Sequence, residues 1–219
     1  MKLSVLLLWL ATLCLSGCAI GQGKPKLPYD SWSISMLAPN YMEVWVESVD
    51  VIDQHGLVFE RVHGGRVAMR SPANNKGNPT GWPTKPGGSS KSISGVDLPE
   101  IIFVRWQSLV EPQTYNVRIN VPEWIHNEMT TPREVGDCAR KDRRLTINHR
   151  KVITIGLAPG GIAKVWLRGG CLKAMEIGRF EGVVNKNGPY DGTSGGKYRP
   201  LSEASKTYIE QFGIPYGSW

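Results

Sequence analysis

Four histidines, His55, His63, His126 and His149, are the side chains best suited to metal ligation or general-base work, and they lie scattered along the chain. No HExxH, CxxC or paired-histidine spacing is present, so no metal site is expected. His126-Asn127-Glu128 is not a ligand pattern. The chain carries no phosphate loop and no GxGxxG, and no cofactor is expected. The nearest text to a hydrolase elbow is Gly192-Thr193-Ser194-Gly195-Gly196. It has the Gly-x-Ser-x-Gly spacing but opens no helix, and Asp191 and Glu181 nearby do not complete it. Glu43, Glu47, Asp50 and Asp53 read as solvated strand faces and a turn, although the geometry of a carboxylate pair for glycan cleavage is set by the fold. The expectation is a protein that is not an enzyme.

The cysteines carry the stronger signal. Met1-Lys2 precedes an apolar run from Leu3 to Leu15, which is shorter than the roughly 20 residues of a spanning helix. One cation, a short apolar stretch and small residues before a break have the form of a secretory signal. Leu15-Ser16-Gly17-Cys18 resembles the lipobox of bacterial lipoproteins. By that resemblance residues 1–17 are removed, the Cys18 thiol takes a diacylglyceryl group, and the new amine is acylated with a fatty acid such as palmitate. One acyl chain binds marginally, and each further buried CH2 adds about 0.8 kcal/mol, so several chains on one residue make a lasting anchor. Ala19 follows where an Asp would favour inner-membrane retention. The expected location is therefore the periplasmic face of the outer membrane. A plain secretory signal followed by an unmodified cysteine is the alternative.

Cys14 leaves with the signal, and Cys138 and Cys171 remain in an oxidising compartment, where a pair is normally a disulfide. The bridge would close a loop of about 34 residues and contribute roughly 3–4 kcal/mol on the chain-entropy account. Two buried free thiols are the other possibility. Beside Cys138 lie Arg140, Lys141, Arg143, Arg144, Arg150 and Lys151. Such a cluster grips phosphate groups or an acidic protein surface, or it is simply a solvated loop. Overall, 26 Lys+Arg stand against 19 Asp+Glu, a net charge of +7. Outside the cytoplasm that favours anionic lipid, anionic glycan or an acidic protein face over nucleic acid, or serves solubility alone.

What must position these groups is a single domain, residues 31–219, on a tether formed by residues 18–30. Roughly 200 residues can bury about 70% of their unfolded surface. In Ser31–Leu37, Trp32, Ile34 and Met36 alternate with polar residues, as in a half-buried strand. Tyr41–Ile52 and Leu57–Val62 flank the turn Asp53-Gln54-His55-Gly56, and Arg66–Arg70 extends that hairpin. Ile101–Leu109 and Gln113–Val121 form a second hairpin, and Lys151–Leu157 with Ile162–Leu167 a third, around Pro159-Gly160-Gly161. Cys171–Val184 holds one more strand. A short helix is expected near 122–130, started by Pro122. A C-terminal helix spans Ser202–Phe212, with Ser202 as N-cap and Gly213 as stop. Trp32, Trp45, Trp106 and Trp166 are expected in the interior. The pattern predicts a mainly β fold, an antiparallel sandwich or curved sheet.

Residues 71–95 are rich in Gly, Pro, Ser and Asn around one large apolar residue, Trp82. A connection this long is usually functional or disordered. Trp82 is expected either as a partner contact, together with Arg140, Arg143 and Arg144, or folded back onto the core.

Gly56-Leu57-Val58-Phe59, Gly81-Trp82, Leu98–Met129, Gly156–Cys171 and Gly195–Trp219 together resemble a domain-of-unknown-function family of bacterial lipoproteins. The resemblance implies no catalytic motif. It implies a periplasmic immunity protein that binds a type VI secreted lipase toxin, because members neighbour such effectors. The rival expectation is an envelope-maintenance lipoprotein that contacts glycan, lipid or an outer-membrane assembly.

Overall fold

The computed structural model describes residues 25–73, 79–136 and 145–219. Among the described residues twelve strands follow one another: β1 Ser31–Leu37, β2 Val44–Asp53, β3 Val58–Arg66, β4 Ser89–Ser94, β5 Pro99–Ser108, β6 Gln113–Asn120, β7 Arg133–Gly136, β8 Leu145–Asn148, β9 Val152–Ala158, β10 Ile162–Gly169, β11 Leu172–Glu181 and β12 Val183–Val184. Helix α1 is Glu123–Thr130 and helix α2 is Glu203–Phe212. Two five-stranded sheets have the orders β11-β10-β9-β1-β4 and β12-β6-β5-β2-β3, and β7-β8 forms a separate ribbon.

The fold is the expected β sandwich. Alternate residues of the two sheets fill one core, with Trp32, Ile34 and Met36 from β1, Val49 and Val51 from β2, Ile102 and Trp106 from β5, and Ile153 and Ile155 from β9. The period of two in each strand sends these side chains to one face. Helix α1 adds Ile125 and Met129 to the core beside Leu98 and Val121. Helix α2 closes the opposite end with a second cluster that includes Tyr41, Met42, Tyr208 and Trp219. Tyr41 and Tyr208 stack there with ring centroids 4.1 Å apart. The Ser202 hydroxyl accepts the Ser205 N–H at 3.3 Å, and Gly213 ends α2 at φ 73°.

The chain crosses from one sheet to the other at Gly182, between β11 and β12. A Cβ there would meet Trp106 at 2.6 Å, so the crossing needs glycine. On the other side of the sandwich, His63 of β3 donates through Nε2 to the Ser89 carbonyl of β4 at 3.0 Å. That contact clasps the edges of the two sheets.

Four expectations are corrected. Residues 89–94 of the supposed loop form β4, paired with β1. Within the mainly antiparallel sheets, β1 pairs with β9 in parallel. β3 ends at Arg66, and Ala68 makes only an isolated bridge to Leu37. Cys171–Val184 holds two strands, β11 and β12, rather than one. Trp45 and Trp166 sit on the outer faces, out of phase with the core residues flanking them in β2 and β10. Among the described residues, no helix is long and apolar enough to cross a membrane.

Candidate functional site

Residues 185–202 cross the outer face of the second sheet as a strap. Three buried or half-buried acceptors fix it. The Glu47 carboxylate accepts the Tyr190 N–H at 2.7 Å and the Gln107 side-chain amide at 2.9 Å. Gln107 Oε1 accepts the Arg199 N–H at 2.9 Å. Glu43 accepts from the Ser202 N–H at 3.2 Å and from the Ser202 hydroxyl. A bulge in β2 makes this possible: Ser48 pairs with Arg105 and Val46 with Trp106, which leaves Glu47 as the extra residue. Bulges re-aim side chains in this way.

Within the strap, Tyr190 and Asp191 have left-handed backbones, φ 51° and 56°. Such conformations persist only where the surroundings impose them. Asn187 and Asn185 donate to the Asp191 carboxylate at 2.9 and 3.2 Å and hold its pKa below the usual carboxylate range. Ser194 donates to the Pro189 carbonyl at 3.2 Å and Thr193 to the Tyr190 carbonyl at 2.8 Å. These hydroxyls therefore serve the turn.

At the α2 end of the sandwich two recesses adjoin, sharing Met69 in their walls. The larger has a volume of about 680 Å3 and is lined by Leu37, Met69, Arg70, Trp82 and Lys85. The smaller, about 320 Å3, is lined by Trp45, Arg66, Met69 and Arg199. The Arg199 guanidinium stacks 4.3 Å from the Trp45 ring centroid, and its Nε donates to the Tyr190 hydroxyl at 3.1 Å. Among the described residues, Glu43 is the one acidic residue in either lining.

Trp82 is folded back onto the outer face of the first sheet, edge to face with Trp166 at a centroid distance of 5.3 Å. It lies over Gly156, where any Cβ would collide with the indole. The C-terminal residues brace this loop: the Gly81 N–H donates to the Ser218 carbonyl at 3.1 Å, and the Trp219 indole donates to the Pro79 carbonyl at 2.6 Å. The Trp82 indole N–H is out of solvent without an acceptor.

Of the other site residues expected from sequence, Cys171 is disulfide-bonded. Cys18, Cys138, Arg140, Arg143 and Arg144 lie outside the described residues. Arg150 pairs with Glu128 at 3.3 Å, and Lys151 stands 5.4 Å over the Tyr29 ring. The histidines are spread among separate contacts. His55 meets Asp97 at 2.9 Å, His126 bridges Gln54 and the Pro99 carbonyl, and His149 packs edge-on against Tyr29. Among the described residues, no three His, Cys, Asp or Glu side chains converge as a metal site would need. Arg66, Arg70, Lys85 and Arg199 were not singled out by sequence reasoning. Only the spacing of Arg66 and Arg70 around Val67-Ala68-Met69 hinted at a shared edge.

A third recess, about 710 Å3, lies at the α1 end and is lined by Lys26, Leu27, Gln54, His55 and His126. The chain enters the domain there, opposite the cationic recesses. The outer face of the first sheet carries serine pairs across β1 and β4: Ser31 with Ser94, Ser33 with Ser92, and Ser35 with Ser90.

Fold and site thus define a β sandwich capped by a helix at each end, with its cationic recesses remote from the point where the chain enters. The chain belongs to the family described as "Protein of unknown function (DUF2931)", whose model matches residues 20–217. No curated protein and no solved structure matches it.

Proposed function

We propose that this chain is a lipid-anchored periplasmic protein that works by binding rather than by catalysis, as an immunity protein that inhibits a secreted phospholipase toxin. The observation that carries the reading is polarity. The segment following the Leu15-Ser16-Gly17-Cys18 lipobox enters at the α1 end, and the recesses lined by cations and aromatics lie at the α2 end. An anchor on Cys18 would hold the domain at the surface a phospholipase attacks. Confinement there raises its effective concentration without any added contact. Two further observations support binding over turnover. The conserved chemistry of a hydrolase needs a free base beside a nucleophile, whereas Glu43 and Glu47 are engaged by the strap and Ser194 by a backbone carbonyl.

The test is a phospholipase assay with any phospholipase toxin found encoded beside this gene. Added chain should lower the rate in proportion to its amount and should release no fatty acid by itself. Turnover of phospholipid by the chain alone, or an unchanged toxin rate, would sink the reading.

A second reading is an envelope-maintenance lipoprotein that binds glycan. The serine pairs across β1 and β4 favour it, because Ser90, Ser92 and Ser94 are exposed and present hydroxyls at regular cross-strand spacing. Co-sedimentation with isolated cell-wall glycan would support it.

A further inference from the structure

We infer that the paired recesses at the α2 end seat an acidic, partly apolar segment of the partner protein. The inference deepens the binding reading above and rests on it.

Charge comes first. Four cations, Arg66, Arg70, Lys85 and Arg199, line the two recesses, and all four are exposed. Arg66, Arg70 and Lys85 form no ion pair among the described residues. The one carboxylate that the described residues bring to the linings, Glu43, is already engaged by the Ser202 N–H and hydroxyl. Like charges held at one edge without counterions repel, and a ligand with carboxylates relieves that repulsion. Arginines are suited to the task because the guanidinium fork matches a carboxylate in two bonds.

The floor argues for a protein segment. Leu37, Met69 and Trp82 supply apolar surface between the cations. The Trp82 ring is itself part of that surface and is only half-buried, so it can report contact with an occupant. A bare inorganic anion would leave the apolar surface uncovered. Recesses of about 680 and 320 Å3 are in the size range of ligand pockets rather than of single-ion sites. Clusters of arginine with apolar contacts are the usual means of reading acidic peptide motifs.

Position argues against lipid as the occupant. β1 runs from the end where residues 25–27 enter to the recess at Leu37, a length of roughly 20 Å. A bilayer holding the anchor would lie at the α1 end, and the recesses face the other way.

The experiment uses the purified full chain and a short synthetic peptide of Asp and Glu interspersed with Leu. Its Asn/Gln counterpart, inorganic phosphate and phosphatidylglycerol vesicles serve as parallel arms. The acidic peptide should bind and the amide peptide should not. Raising the salt from about 50 to about 300 mM should weaken binding at least tenfold, as for exposed charge pairs. The combined Arg66→Gln, Arg70→Gln, Lys85→Gln variant should lose at least about tenfold in affinity, with its denaturation midpoint within the small range expected of surface changes. In nitrogen-15 spectra the Trp82 indole resonance should move with the acidic peptide. Those of Trp32 and Trp219, already bonded to the Val96 and Pro79 carbonyls, should not.

Equal affinity for the amide peptide, no binding of either peptide, binding of phosphate or vesicles alone, or an unaffected triple variant would each overturn the inference. If the variant fails to fold, the single Arg70→Glu change takes its place, with the same expected loss. A triple variant that still inhibits the toxin removes the recess assignment and leaves the immunity reading intact. A wild-type chain that inhibits nothing removes the reading itself.

Discussion

Trp82 closes over Gly156 and meets Trp166 edge to face at 5.3 Å. The 79–88 loop, which forms one wall of the larger recess, is thereby pinned to the hairpin of β9 and β10. The wall depends on Gly156 having no side chain. Gly156→Ala should push the indole off the sheet and destabilise the fold by about 1–3 kcal/mol, the usual cost of overpacking. In a Trp82→Ala background the same change should cost much less, because the colliding ring is gone. Denaturant midpoints of the two single variants and the double variant measure the coupling. Additive effects would mean that the collision is relieved in some other way.

The His63 clasp makes stability depend on pH. Burial holds the His63 imidazole below its usual pKa, and Lys91 pushes in the same direction while the Ser89 carbonyl opposes them. Its Nδ1 is buried without a partner, so an added proton would find no acceptor. The unfolded chain titrates near 6.5 and therefore binds more protons than the folded chain between its lowered value and about 6.5. Stability then rises with pH across that window and is lost on acidification through it. His63→Gln can keep a donor toward Ser89 and should flatten that part of the profile. Thermal midpoints of both proteins between pH 7 and pH 5 test this; parallel curves would remove His63 as the cause.

The three hairpins were legible because alternation and turn chemistry are local. The Asp53–Gly56 and Pro159–Gly161 turns each sit between runs of period two. β4 was hidden because Ser-Ser-Lys-Ser-Ile-Ser offers one apolar residue, and its strand character comes from pairing with β1. The parallel contact of β1 with β9 joins segments more than a hundred residues apart, which no local pattern encodes. The placement of Trp45 and Trp166 could have been read: Trp45 lies between Val44 and Val46, and Trp166 between Val165 and Leu167, so each points opposite its apolar neighbours. The cationic recess was illegible for the opposite reason. Its charges come from positions 66, 70, 85 and 199, and only the tertiary fold gathers them.

Cys18 is expected to decide location. With residues 1–17 removed and the thiol acylated, the protein should partition with the membrane and its N-terminal fragment should carry the mass of a diacylglyceryl-cysteine. Cys18→Ser should release it into the soluble periplasmic fraction with its fold unchanged, because the described domain makes its contacts from Pro25 onward. One remaining chain would hold it only marginally, whereas two or more hold it lastingly. A wild-type protein recovered as soluble, with an unmodified Cys18, would contradict the anchor.

Glu47 tests whether the strap is held by the bulge in β2. Its carboxylate gathers the Tyr190 N–H and the Gln107 amide, and Gln107 in turn accepts from the Arg199 N–H. Removing the carboxylate as Glu47→Ala leaves those donors without an acceptor, at a cost of about 1–3 kcal/mol. The loss should be local. Hydrogen exchange at Tyr190 and Arg199 should accelerate more than exchange at core positions such as Val104 or Ile155, and proteolytic nicking should fall within residues 185–202. Because Arg199 lies over Trp45, the smaller recess should lose one of its cations as the strap loosens, and affinity for an acidic peptide should fall with it. Glu47→Gln keeps one acceptor oxygen and should give a smaller effect of the same sign. Uniformly faster exchange across both sheets would instead make Glu47 a determinant of global stability, and the strap would no longer be a separable element.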